Sequence, residues 1–217
     1  MKSLLLKLTA FILHPIKYCT SGAIIVGSRL RIQKGNSLHL DHTHVKKSDI
    51  FVYGTNTSIE FDNADIHNST ILVMGNNCRL TINNGAKVYN LHLAIKSNDC
   101  IVTIGHNTSF GGGTVVCAGT GNSILFGNNC MIAEGVDIWN SDTHVITVKG
   151  EDLNNHKPIT IRDHVWIGKD VTVLKGVNIG DNAIIGMKSV VTHDILPGTI
   201  NAGIPARVLQ EDANWRH

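Results

Sequence analysis

Aromatic side chains are scarce in this chain of 217 residues, where Phe, Trp and Tyr together make up 5%. Few large rings combined with 21 glycines exclude a core built on bulky aromatics and favour many small, similar packing layers. Runs of basic residues are also lacking, since the longest is Lys46–Lys47 and the net charge is +2. The sequence therefore predicts one domain, or one with a small appendage, and no nucleic-acid-binding face.

No apolar run is long enough to span a bilayer. The opening stretch MKSLLLKLTAFILHPIK begins like a secretion signal, but Lys7 interrupts it, Pro15 ends it and no cleavage site of small residues follows closely. Five apolar residues fit one helical face: Leu4, Leu5, Leu8, Phe11 and Ile12. We therefore expect residues 1–23 to form a helical cap, with peripheral membrane contact through residues 3–13 as the alternative.

The five cysteines form no CxxC pair, and their number is odd. This pattern is not that of a disulfide framework, and it favours small buried thiols in a reducing compartment. We predict a cytoplasmic protein, at the inner face of the membrane if the N-terminal helix touches it.

A period of six residues dominates the second half of the chain. Branched apolar residues open consecutive hexads at Ile161, Ile167, Val173, Ile179, Ile185 and Val191. This period fits a coil of three short strands joined by tight turns, whose amides are satisfied by parallel ladders between coils. Asparagine and glycine tolerate the positive φ of such turns, and they recur at 54–57, 75–78, 105–108, 127–130 and 180–183.

Three hexads make a coil of about 18 residues. That spacing places Lys188 beside Asp170, and Lys175 beside His193. We predict an all-β parallel β-helix, with less regular coils over 24–103, regular coils over 104–200 and a C-terminal cap segment over 201–217. A β-sandwich of many short strands is the alternative fold.

The run DHVWIGKDVTVLKGVNIGDNAIIGMKSVVTHDILPGTINAGIPARVL at 163–209 resembles the signature of the hexapeptide-repeat acyltransferases, whose fold is the left-handed parallel β-helix. The resemblance implies a homotrimer, acetyl-CoA as donor, no metal, and an acceptor bound between subunits. The extended loop before VWIG is most similar to that of the sugar branch, which comprises maltose, galactoside and capsule O-acetyltransferases.

The hexad is lost between Ile138 and Ile161, where a polar loop (139–160) leaves the repeat. Long loops inside compact repeats are usually functional or disordered. Acetyl transfer from a thioester needs a general base, a task for which histidine is suited. DTHVI matches the loop motif that carries the family's base, which assigns that role to His144. Asn140 and Asp142 are candidates to orient it, although a turn-forming role explains Asp142 equally well.

Trp166 occupies an outward position in its hexad, where a large apolar ring needs a cover. The resemblance implies that it lines the acyl passage close to the base of an adjacent subunit, and trimer packing is the alternative. Trp139 could stack on a sugar or fill the interface.

The resemblance also implies a donor groove. Its candidate residues are Trp166, Gly168, Lys169, Gly186, Met187, Lys188, Thr192, Pro205 and Arg207. His193 stands where many relatives have a phosphate-binding lysine, a charge that Lys175 or Lys188 could replace.

We predict an acetyl-CoA-dependent O-acetyltransferase that acts on a sugar hydroxyl of a surface polysaccharide or its precursor. N-acetylation of an amino sugar needs the same base. Two further classes are a gamma-carbonic-anhydrase-like metalloenzyme, which would use His144, His156 and His164, and a non-catalytic β-helix scaffold.

Overall fold

The computed structural model describes residues 17–216. Their regular structure consists of strands, and this part of the chain contains no helix with the length and apolar character needed to cross a membrane. The predicted helical residues Leu4 to Ile12, and with them the membrane contact through 3–13, lie outside the described range.

The strands follow one another at short intervals. In chain order they are β1 (Lys17–Ser21), β2 (Ile24–Val26), β3 (Arg29–Ile32), β4 (Ser37–Asp41), β5 (His44–Lys46), β6 (Asp49–Val52), β7 (Ser58–Asp62), β8 (Asp65–His67), β9 (Thr70–Val73), β10 (Arg79–Ile82), β11 (Lys87–Tyr89), β12 (Leu91–Ile95), β13 (Ile101–Ile104) and β14 (Ser109–Phe110). They continue with β15 (Gly113–Cys117), β16 (Ser123–Phe126), β17 (Met131–Ile132), β18 (Val136–Trp139), β19 (Thr147–Val148), β20 (Glu151–Asp152), β21 (Ile159–Ile161), β22 (Trp166–Ile167), β23 (Thr172–Val173), β24 (Asn178–Ile179), β25 (Ile184–Ile185), β26 (Val190–Val191), β27 (Ile200–Gly203) and β28 (Ala206–Gln210).

Three long sheets form the sides of a prism. Side A is ordered β1-β4-β7-β10-β13-β16-β21-β24, side B is β2-β5-β8-β11-β14-β17-β22-β25-β27-β28, and side C is β3-β6-β9-β12-β15-β18-β23-β26. The chain visits A, B and C in turn, and each strand pairs in parallel with its counterpart one coil away. Only β27 and β28 within side B are antiparallel among these pairs. The predicted all-β parallel β-helix is confirmed.

The interior is a stack of small apolar layers. On side C, for example, inward positions pair Ile50 with Ile71, then Leu93 and Val115, all of them buried. The aromatic rings of Phe110 and Phe126 pack edge to face, with their centroids 5.0 Å apart. This layered packing needs few large rings, as the composition predicts.

Asparagines form ladders along the corners of the prism. The five predicted turn asparagines adopt positive φ, namely Asn56, Asn77, Asn107, Asn129 and Asn182. Asn56 Nδ2 donates to Asn77 Oδ1 at 3.0 Å, and Asn77 Nδ2 donates to Asp99 Oδ1 at 3.0 Å. Each turn thus binds the turn in the next coil, which accounts for the frequency of G-x-N in the sequence.

The coil length changes along the chain. Trp166 pairs with Ile184, 18 residues later, as the hexad rule requires. Upstream, Ser58 pairs with Arg79 and Arg79 with Ile101, which are separations of 21 and 22 residues. The weak hexad pattern of 24–103 therefore reflects longer coils whose ladders are continuous.

The predicted segment boundaries need correction. Residues 17–21, which we assigned to the helical cap, form β1 and pair with β4. The boundary at 103/104 falls inside β13, and the boundary at 200/201 falls inside β27. The ladders run through these positions without a break, because backbone pairing between coils does not depend on a strict period of six.

Stacked turns approach each other so closely at Gly75 that a side chain at this position should destabilise the fold. A Cβ added there would lie 1.9 Å from the carbonyl oxygen of Ser97 in the next coil. We expect Gly75→Ala to lower the free energy of unfolding by about 3 kcal/mol, because the backbone must shift. Gly111→Ala, whose Cβ would lie 3.1 Å from its nearest neighbour, should cost clearly less. Equal denaturant midpoints for the two variants would contradict this account.

Candidate active site

The predicted loop is a hairpin arm that leaves the prism where side C turns into side A. We call this corner edge CA and the segment 140–158 the arm. Lys157 N donates to Asn140 O at 3.0 Å, Asp142 N to Asn155 O at 3.0 Å, and Leu153 N to Ile146 O at 2.8 Å. At the tip, β19 pairs antiparallel with β20.

His144 lies in a bulge of this hairpin. Asp142 bonds to Asn155 and Ile146 bonds to Leu153, so three residues (143–145) face the single residue Asn154. A bulge bends its strand and re-aims a side chain. Thr143 adopts a φ of 64°, and the imidazole of His144 is exposed. Within residues 17–216 no side chain hydrogen-bonds to that imidazole.

Residues 140, 141, 156 and 157 form the base of the arm, which we call the neck. Asn140 anchors it. Its side chain is fully buried; Oδ1 accepts from Ala118 N at 2.7 Å and Nδ2 donates to Ala118 O at 3.0 Å. The prediction that Asn140 orients His144 therefore receives no support from this geometry, because both polar atoms of its side-chain amide bind Ala118. That residue belongs to the preceding coil, which we describe as above the arm; the following coil is below it.

Glycines lie above and below the neck. A Cβ at Gly119 would lie 2.4 Å from the side chain of His156, and a Cβ at Gly176 would lie 2.9 Å from that of Lys157. His156 Nδ1 also lies 2.8 Å from Ser141 Oγ across the neck. The neck is thus packed tightly into the stack of coils.

Asp142 forms an ion pair with Lys175 of the coil below. The same ammonium donates to Asn154 O at 3.2 Å. Lys175 follows β23 and His193 follows the paired strand β26, as the 18-residue spacing predicts, but the Lys175 ammonium is bound to the arm. Since the carboxylate of Asp142 binds Lys175, it does not contact the His144 imidazole either.

Trp166 lies on side B, partly covered by a residue that sequence analysis missed. The C-terminal tail returns to bury Trp215, whose ring stacks on His164 at 4.3 Å between centroids and lies 6.2 Å from that of Trp166. Trp215 Nε1 donates to His164 O at 2.8 Å. His164, which is partly buried, also has Nδ1 3.0 Å from Asn182 Oδ1. The sequence signal that could have predicted this contact is the presence of a tryptophan in an otherwise polar C-terminal tail.

The candidate donor-groove residues gather mainly where side B turns into side C, a corner that we call edge BC. Gly168 N donates to Ile185 O and Gly186 N to Asn201 O, each at 2.8 Å, so small residues stack there. Lys188 Nζ lies 3.5 Å from Asp170 Oδ2, which confirms the predicted pair. Lys169 Nζ lies 3.1 Å from Glu134 Oε2.

Three other groove candidates lie elsewhere. Thr192 follows β26 and lies at edge CA, across side C from Gly168, and its Oγ1 is 2.7 Å from His193 Nδ1. Pro205 follows a cis bond in the turn between β27 and β28, and Arg207 is exposed within β28. One chain therefore does not join all the groove candidates in a single channel.

The three histidines considered for a metal site have separate surroundings. His156 binds Ser141 at the neck of the arm, and His164 stacks under Trp215 on side B. Over residues 17–216 no three His, Cys, Asp or Glu side chains are placed to hold a metal ion together.

The buried cysteines are poor nucleophiles. Cys78, Cys100, Cys117 and Cys130 are free and buried. Burial raises the pKa of Cys130 to about 11, and a hydrogen bond with Cys117 together with burial raises the pKa of Cys100 to about 11. These two thiols remain protonated at neutral pH, as expected for packing residues.

Residues 158–193 match the family model described as bacterial transferase hexapeptide (six repeats). The polysialic acid O-acetyltransferase of Neisseria meningitidis is 33% identical over 157 residues, which cover 70% of this chain and 72% of that protein. The chain belongs to the hexapeptide-repeat acetyltransferase family.

Two further comparisons agree. The galactoside O-acetyltransferase of Escherichia coli K12 is 40% identical over 91 residues, which cover 41% of this chain and 44% of that protein. A crystal structure of a polysialic acid O-acetyltransferase is 29% identical with a TM-score of 0.76, covering 94% of this chain and 92% of that one.

The neck geometry makes Asn140 a stability residue. Asn140→Ala leaves the N–H and C=O of Ala118 without their partners, so we expect a loss of about 2 kcal/mol in the free energy of unfolding. His144→Ala, in the same arm but exposed, should leave the denaturant midpoint unchanged. Comparable losses in the two variants would contradict the assigned anchoring role.

Proposed function

We propose that this acetyltransferase moves the acetyl group of acetyl-CoA to a sugar hydroxyl of a surface polysaccharide or its precursor, with His144 as general base. The observation that carries the proposal is the exposed imidazole in the bulge of the arm, on a chain that matches a polysialic acid O-acetyltransferase over 70% of its length. Bacterial polysialic acid is the first acceptor to test.

The chemistry asks little of the protein. His144 takes the proton of the acceptor hydroxyl as its oxygen attacks the thioester carbonyl, and backbone N–H groups can stabilise the oxyanion that forms. When the intermediate collapses, the C–S bond breaks and the imidazolium returns the proton to the coenzyme A thiolate. The products are an acetyl ester and free coenzyme A.

The residues at edge BC fit a coenzyme A ligand. Gly168 and Gly186 carry no side chain that would obstruct an extended pantetheine arm along this corner, although a Cβ at either position would also crowd the next coil. Lys169 and Lys188 make only exposed ion pairs, which contribute little stability and can be exchanged for phosphate. Arg207, which lies in β28 and not at this corner, is a further exposed cation.

The base and the groove lie on different parts of one chain. His144 projects from edge CA, whereas Trp166 lies on side B, which is opposite that edge in a three-sided prism. If three prisms turn side C toward a common axis, edge CA of each chain meets edge BC of the next. We therefore propose a homotrimer whose active sites combine His144 of one subunit with Trp166, Gly168 and Gly186 of its neighbour.

Two surfaces support this arrangement. Side C carries an outward row of apolar residues in register, comprising Phe51, Leu72, Ala94, Val116 and Trp139. The arm exposes Val145, Ile146, Val148 and Leu153, and edge BC exposes Met187. The exposed apolar residues of the arm and of edge BC are typical of an interaction site, whereas the row on side C is partly or fully buried within its own chain. In this arrangement Trp139 fills the interface, the second of its two predicted roles.

The decisive assay is thiol release from acetyl-CoA with polysialic acid, neutral polysaccharides and amino sugars as acceptors. We expect His144→Ala to lower kcat by about 10²–10⁴, because the general base is lost. His106→Ala, at an exposed turn histidine with the arm intact, is the matched control and should keep full activity. Unchanged turnover in His144→Ala would remove the proposed role, and transfer only to amino sugars would favour N-acetylation.

Complementation tests the shared site. His144→Ala and Trp166→Ala chains should each be nearly inactive. When the two are co-refolded in equal amounts, about one quarter of the wild-type activity should return. The reason is that a quarter of the interfaces then combine an intact His144 from one subunit with an intact Trp166 from the next. Mixed trimers with no activity beyond that of the single variants would show that His144 and Trp166 act within one chain.

A further inference from the structure

The ammonium group of Lys175 holds both strands of the arm. On one strand it pairs with the carboxylate of Asp142, and on the other it donates to Asn154 O at 3.2 Å. Asp142 directly precedes the bulge that carries His144, and Asn154 faces that bulge from the other strand. A single cation from the coil below is therefore bound at the place where the arm bends.

This ion pair is better shielded than its counterparts. The side chains of Lys175 and Asp142 are 23% and 28% exposed, whereas those of Lys188 and Asp170 are 75% and 39% exposed. Partly buried charges are less screened by water and salt than surface pairs. The contact can thus fix the position of the arm, which exposed pairs do poorly.

We propose that Lys175 is a positioning residue: its ammonium locks the bulge of the arm to the coil below and thereby sets the location of the His144 imidazole. This inference rests on the proposed function, in which His144 is the base. Buried neck contacts hold the arm at its root, but residues 143–145 have no such anchor on the coil. Lys175 supplies this anchor through its contacts with Asp142 and Asn154.

The sequence alone also allows a different role for each of these residues, and their contacts weigh against both. Lys175 was a candidate for a coenzyme A phosphate, yet its ammonium is directed to the arm. Asp142 was a candidate to orient the imidazole, yet its carboxylate is bound by Lys175. Each role predicts a different kinetic result.

The experiment is a mutant cycle of Lys175→Met, Asp142→Asn and the double variant, assayed with acetyl-CoA and polysialic acid. We expect each single change to lower kcat up to about 10²-fold, the loss that a misplaced group can cause, with KM for acetyl-CoA nearly unchanged. The double variant should be no worse than either single one. Lys175→Arg, and the exchange Asp142→Lys with Lys175→Asp, should restore part of kcat.

Three results would overturn the inference. A higher KM for acetyl-CoA at unchanged kcat in Lys175→Met would make Lys175 a donor ligand. Losses that multiply in the double variant would show that the two residues act independently. Full activity in Lys175→Met would show that the contact does not matter. Lys87→Met, which removes an exposed ammonium on side B, is the control and should behave like the wild type.

A readout independent of catalysis separates this inference from the proposed function. Amide hydrogen exchange of Ile146 and Leu153 should accelerate in both Lys175→Met and Asp142→Asn, while amides of the coil core keep their protection. Unchanged exchange in the arm would contradict the lock even if the enzyme is active. If the wild-type protein transfers no acetyl group, the proposed function fails, and faster exchange would still establish the lock.

Discussion

Pairing of every coil with the coil above and below is the constraint on which the rest of this molecule depends. Backbone groups are satisfied between coils, so a residue inserted within a strand would disrupt two ladders at once. Extra chain can leave only at a corner, where turns tolerate variation. The arm does so at edge CA, and the parallel ladder resumes beyond it with Phe126 paired to Ile161. The site is consequently an addition at the corner of a rigid stack.

Rigidity of the stack is what gives a short hairpin a defined place. Gly119 and Gly176 allow the neck to enter between coils, and Asn140 binds the coil above. Lys175 reaches up from the coil below. The arm that carries His144 is therefore held from two directions, although the His144 imidazole is exposed. An exposed imidazole on a fixed support would suit the polymeric acceptor that we propose.

Periodicity and motif made much of this predictable. Ile161 to Val191 define the coil, the G-x-N turns define its corners, and the break after Ile138 locates the arm. The partners of the loop residues were not predictable, because Asp142 and Lys175 meet through the stacking of coils around an insertion whose folded length the sequence does not reveal. Trp215 was missed for a similar reason: its contact with His164 spans 51 residues and follows no repeat. The length of the upstream coils was not predicted, because only coils built from hexads leave a regular period in the sequence.

The central claim is that the active site forms only between chains, with edge CA of one facing edge BC of the next. An experimental structure of the assembled protein with a non-transferable acetyl-CoA analogue measures this directly. We predict that the analogue lies along Gly168 and Gly186 of one subunit, with its carbonyl carbon within about 4 Å of the His144 imidazole of the adjacent subunit, a distance at which acceptor and base can meet. An analogue bound beside His144 of its own chain, or side C facing solvent, would contradict the claim.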